Sequence, residues 1–121
     1  MAKTATTTHT LKMYRKYGYT VWKTEYWCSF SRKRKDLLGF IDVLAFDENE
    51  IIGIQDTSVG NMKARIKKIL ASPLAWDWLQ DESRTIIVLG WEKVGGRWKH
   101  KDHEVRLGDF TDGRPEPPTD D

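Results

Sequence analysis

A chain of 121 residues has room for one domain and little for a second. With 39% hydrophobic and 31% charged residues, and with six tryptophans, four tyrosines and four phenylalanines, it carries enough apolar surface for a core, which excludes a wholly disordered chain. Its net charge of +2 excludes a polycation, and no apolar run approaches the roughly 20 residues that a membrane helix needs.

In chain order, residues 1–9 are small and polar and are expected to be disordered. Their start, Met-Ala-Lys-Thr-Ala, lacks an apolar signal core, and the single Cys28 cannot form an internal disulfide, so an intracellular, reducing compartment is expected. Thr10 is placed to cap a short helix that ends at Tyr17 with Gly18 as its stop. Tyr19–Trp27, rich in β-branched and aromatic residues, predicts a strand. The basic run Arg32-Lys33-Arg34-Lys35 reads as a loop. Leu37–Phe46 is a nearly continuous apolar run interrupted by one acid, which suits a strand covered on both faces. A polar connection, Asp47-Glu48-Asn49-Glu50, leads to a second apolar strand over Ile51–Thr57, and the two predict a hairpin.

Beyond Ser58 the period changes. Met62, Ile66, Ile69 and Leu70 fall at i, i+4, i+7 and i+8, one face of a helix. Ser72-Pro73 is an N-cap followed by proline at the first helical position, opening a short second helix through Leu79. Thr85–Leu89 predicts a strand, Val94-Gly95-Gly96-Arg97 a turn, and Trp98–Leu107 a polar partner strand in a C-terminal hairpin arm. The domain is expected over residues 10–107, and residues 108–121 are expected to be a flexible acidic, proline-rich tail. One mixed sheet covered by helices accommodates this order.

Asp42 is the residue most in need of an explanation, because a carboxylate inside an apolar strand is costly to bury unless it is paired or holds a metal. The plainer alternative is an acid that caps a loop at the strand end. On the next strand, alternation sets Gln55 and Thr57 on one face with Ile51 and Gly53, and a hairpin brings the two polar groups toward Asp42. An oxygen-lined site of this kind suits Mg²⁺ or Mn²⁺. Alternation points Asp56 away from Gln55 and Thr57. It is then a surface acid at the strand end, or, with a bulge, the second acid of the site. Asp36 is a loop acid beside cations or a support for Asp42, and Glu25, late in the first strand, is within reach of the same place.

The stretch Arg34-Lys35-Asp36-Leu37-Leu38-Gly39-Phe40-Ile41-Asp42-Val43-Leu44-Ala45, followed by Ile54-Gln55-Asp56-Thr57-Ser58, Asn61 and Ala64-Arg65, resembles small phage and bacterial proteins of the PD-(D/E)XK nuclease superfamily. The element order extends the resemblance over residues 10–106, with the detailed match between 34 and 69. The resemblance implies a restriction-endonuclease-like αβββαβ core and a metal-dependent DNA endonuclease, with branched or otherwise structured DNA as its expected substrate and a homodimer in a bacterial or phage-infected cytoplasm as its expected form. It implies that Asp42 is the first metal-binding acid, that Gln55 stands in for the second, and that the main-chain carbonyl of Asp56 assists. Thr57 occupies the lysine position, and Lys63 or Arg65 on the following helix is expected to supply the missing cation.

Arg32, Lys33, Arg34, Lys35, Lys63, Lys67 and Arg65 suit a phosphate backbone, or else form a solvated charged face. The tryptophans of the last hairpin either stack on bases or pack against the core. His9, His100 and His103 show no zinc spacing, and no glycine-rich loop points to a nucleotide cofactor. A nuclease-like DNA-binding module without activity, and an interaction domain that keeps only the fold, are the competing functional readings.

Overall fold

The computed structural model describes residues 3–117, so the first two positions of the expected disordered start and the last four of the expected tail lie outside it. Helix α1, Lys3–Lys16, leads into β1, Thr20–Lys23, followed by a small ribbon of β2, Tyr26–Cys28, and β3, Lys33–Lys35. Strands β4, Val43–Phe46, and β5, Ile51–Ser58, precede a 3-10 turn at Val59–Asn61 and helices α2, Met62–Leu70, and α3, Pro73–Trp78. Strands β6, Arg84–Val94, and β7, Arg97–Val105, end the regular structure. The fold is mixed α/β. Its central sheet has the order β1-β4-β5-β6-β7, with every neighbouring pair antiparallel except the parallel β5–β6, whose crossover is made by α2 and α3.

Strand alternation divides the core in two. On one face of the sheet, Val43, Ala45, Ile52, Ile54, Leu89 and Trp91 pack with Tyr14 of α1. On the other, Ile86, Val88 and Val105 pack with Ile41, Ile69 of α2 and Ala75 of α3. The expected hairpin forms with Val43 opposite Ile54 and Phe46 opposite Ile51, and Asp47 Oδ1 accepts from the main-chain N–H groups of Asn49 and Glu50 to close the turn. Ser72 caps α3 as expected, its hydroxyl oxygen accepting from the Ala75 N–H.

Several expectations need correction. The threonine-rich start is helical from Lys3, not disordered through residue 9. Threonine is a mediocre helix former, but Thr6, Thr7 and Thr10 are buried. Thr10 Oγ1 accepts from Trp91 Nε1 at 3.0 Å and donates to the Thr6 carbonyl at 2.9 Å, so tertiary packing holds the helix.

The strand expected over Tyr19–Trp27 breaks at Thr24–Glu25, where both main-chain N–H groups donate to the Asp42 carbonyl. The apolar run from Leu37 is a strand only from Val43. Leu37–Ile41 closes on itself as a tight turn, with Leu38 and Gly39 at φ of 58° and 84°. The basic run is a strand in part, because Lys33–Lys35 pairs with Tyr26–Cys28. The last hairpin is no separate arm, since β7 pairs with β6 over nine positions and forms an edge of the sheet.

The expected tail is anchored through Arg114. Phe110 is buried edge-on against Trp76, with ring centroids 5.7 Å apart, and Arg114 grips Asp77 through two 2.9 Å hydrogen bonds. The Arg114 guanidinium holds the Asp77 carboxyl below its ordinary pKa. A depressed folded-state pKa means that this contact contributes above the ordinary aspartate range and is lost as pH falls through the folded value. Hydrogen-exchange protection over residues 107–114, taken relative to the intrinsic rate at each pH, is therefore expected to fall in acid. At neutral pH, Arg114→Ala should reproduce that loss of protection.

Candidate functional site

The register that sets Val43 opposite Ile54 sets Asp42 opposite Gln55 one step further on. Opposite residues of an antiparallel pair share a face, here the face that carries α2. Gln55 Nε2 donates to Asp42 Oδ2 at 2.6 Å, and the Asp56 main-chain N–H donates to the same oxygen at 3.0 Å. Asp42 is fully buried and Gln55 nearly so. Asp42 immediately precedes β4, and its buried carboxylate is held there by hydrogen bonds from Gln55 and the Asp56 N–H.

Asp42 and Gln55 line a cleft of about 350 Å³ together with Glu25, Arg34, Asp36, Arg65 and Lys68. Three elements build its walls. The β4–β5 pair supplies Asp42 and Gln55. The ribbon supplies Glu25, Arg34 and Asp36: Trp27 is opposite Arg34, so the same register sets Glu25 opposite Asp36. Arg34 Nη1 donates to Glu25 Oε1 at 3.3 Å, which ties the two walls of the ribbon where it meets the cleft. Helix α2 supplies Arg65 and Lys68, one turn apart at i and i+3.

Other expected site residues fall elsewhere. Lys63 and Lys67 are exposed on α2 and do not line the cleft, because each is two positions from a neighbour in the Arg65 register, about 200° around the helix. Thr57 shares the face of Gln55 but is buried and lines no part of the cleft. Asp56 is also buried rather than a surface acid; alternation puts it on the α1 face with Ile52 and Ile54, and its main-chain N–H donates to Asp42. Lys33 and Lys35 share the ribbon face opposite Arg34, and Arg32 lies in the exposed turn at φ 54°. Lys68 was not among the expected site residues. Its signal was its spacing from Arg65, three positions along a helix whose apolar stripe was already evident.

Among the described residues, no three His, Cys, Asp or Glu side chains converge to hold a metal ion by themselves. No helix among them is long and apolar enough to cross a membrane. Comparison of the chain with family models, with curated proteins and with solved structures gave no match.

Proposed function

We propose that the chain is a metal-dependent DNA endonuclease with a restriction-endonuclease-like core, and that the cleft around Asp42 is its phosphodiester-hydrolysing site. The observation that carries this reading is that one small cleft is lined by three carboxylates, Glu25, Asp36 and Asp42, and by three cations, Arg34, Arg65 and Lys68. The element order supports the fold assignment: a helix, three antiparallel strands, a helical crossover and a parallel strand.

The donors suit Mg²⁺ or Mn²⁺ in kind. Carboxylates and the Gln55 amide oxygen are hard ligands, and Mg²⁺ commonly binds through one or two carboxylates while keeping water and phosphate oxygens. Asp42, with Gln55 and Glu25 or Asp36, would hold the ion, which when bound supplies Lewis acidity and a more acidic water. The chain's own residues do the rest. The hydrogen bonds from Gln55 and the Asp56 N–H fix the Asp42 carboxylate without side-chain reorganisation. Arg34, Arg65 and Lys68 orient the phosphodiester and offset its charge. Lys68 or Arg65, on the helix, takes the role that Thr57 cannot fill, which refines the expected relocation by dropping Lys63.

A second reading has its own observation in favour. Asp42 Oδ2 already accepts two N–H donors, and Thr57 supplies no cation, as in a domain that binds DNA without cutting it. Incubation with linear, nicked and junction DNA in Mg²⁺ and in Mn²⁺ separates the two. The enzyme is expected to cut at least one form, with cutting abolished by chelator and in Asp42→Ala. Binding without any cutting favours the second reading, whereas equal cutting by both proteins removes the assigned site. Lys68→Ala should slow cutting about 100-fold or more, as loss of one charge-stabilising group does elsewhere, while Lys63→Ala stays close to wild type. Light scattering of the protein with and without duplex tests the homodimer.

A further inference from the structure

The ribbon carries more than the cleft uses. Trp27 is 58% exposed, Tyr26 56% and Phe30, in the turn between β2 and β3, 99%. Exposed rings grouped in one small element mark an interaction surface, and here they share a ribbon with Arg32, Lys33, Arg34 and Lys35. The two faces of the ribbon differ. Trp27 is opposite Arg34, and alternation adds Glu25 and Asp36 to that face; all three of these charged residues line the cleft. Tyr26, Cys28, Lys33 and Lys35 occupy the other face. Trp27 thus stands on the cleft side, one step outward from Glu25, beside a cation already directed into the cleft.

We infer that Trp27 is a stacking platform for an unpaired base at the mouth of the cleft, so that the nucleic acid bound there is single-stranded next to the phosphate held by Arg34. This rests on the reading of the cleft as a nucleic-acid site and deepens it by naming the substrate class. The chemistry favours a nucleic acid over a second copy of the chain. Arg34 on this face, together with Arg65 and Lys68 of the same cleft, complements a polyanion. It favours unpaired nucleotides over intact duplex, because a base offers its π-face to a ring only when it has left its own stack. Arg34 next to Trp27 supplies the phosphate contact of the same nucleotide.

The test is equilibrium binding in chelator, where no cutting occurs, at low salt, with labelled oligothymidylate and a blunt duplex of equal length. Trp27→Ala is expected to weaken oligothymidylate binding about tenfold and to change duplex binding less than about twofold. Trp27→Phe should retain most of the affinity, and Tyr26→Ala, on the opposite face, should leave both ligands unaffected. Equal weakening of both ligands by Trp27→Ala, or an equal effect from Tyr26→Ala, overturns the inference. So does a dimer that Trp27→Ala converts to monomer without a change in binding. Failure of the wild type to bind either nucleic acid overturns it together with the nucleic-acid reading of the cleft. Trp27-dependent binding of the single strand without any cutting in Mg²⁺ or Mn²⁺ supports it and rejects only the hydrolytic reading.

Discussion

Asp42→Ala is expected to remove DNA cleavage and, independently, to cost about 1–3 kcal/mol of stability. Two buried donors, Gln55 Nε2 and the Asp56 main-chain N–H, lose their acceptor at once. Asp42→Asn separates the two consequences. An asparagine oxygen in the place of Oδ2 can still accept both hydrogen bonds, so most of the stability should return. The charge does not return, and with it goes the means of holding a divalent cation, so cleavage should stay lost. Urea unfolding and a cleavage time course on the same three proteins read both quantities. Full cleavage by Asp42→Asn would make the carboxylate a structural acceptor only. A stable and inactive Asp42→Asn protein is the pattern expected of a reacting site.

How far the sequence revealed this site depended on how local each signal was. Asp42 was visible because an acid in an apolar run violates the pattern around it, and Gln55 followed from strand parity together with the resemblance. The same parity correctly turned Asp56 away. Parity could not tell that Asp56 is covered, because burial there depends on α1, whose threonines look like solvent-exposed polar residues until Trp91 is known to donate to Thr10. The ribbon was harder still. Lys33–Lys35 has the composition of a loop, and only its pairing with Tyr26–Cys28 brings Glu25 and Asp36 to the same cleft. Asp36 is a candidate as a loop acid near Asp42 and Glu25 as an acid late in the first strand, but their joint position needed a pairing that no propensity encodes. Leu38-Gly39 makes the same point from the other side. A continuous apolar run suggested one long strand, while two residues with positive φ turn the chain before Val43.

The cationic wall of the cleft depends on how closely α2 approaches the sheet, and Gly90 sets that approach. A Cβ at this position would lie 2.3 Å from Met62 Sδ and 3.1 Å from the Val59 Cα. Met62 can swing aside, but Val59 is met at its main chain, in the 3-10 turn that feeds α2. Gly90→Val is therefore expected to cost about 1–3 kcal/mol, toward the upper end, by overpacking. It should also lift the start of α2 and carry Arg65 and Lys68 away from Asp42, so the remaining folded protein should cut poorly. Two other glycines calibrate the claim. Gly60 has no atom within 4 Å of an added Cβ, and Gly60→Ala should stay within about 0.5 kcal/mol of wild type. At Gly53 the first obstacles are Ile41 Cδ1 at 2.9 Å and Cγ1 at 3.0 Å, the movable end of a side chain, so Gly53→Ala should fall between the two. Thermal or urea unfolding of the three variants gives the order directly. Because Gly90 pairs with Thr57 across the parallel strands, a loss of cleavage in Gly90→Val larger than its fraction unfolded would tie the position of α2, rather than stability alone, to the chemistry of the cleft.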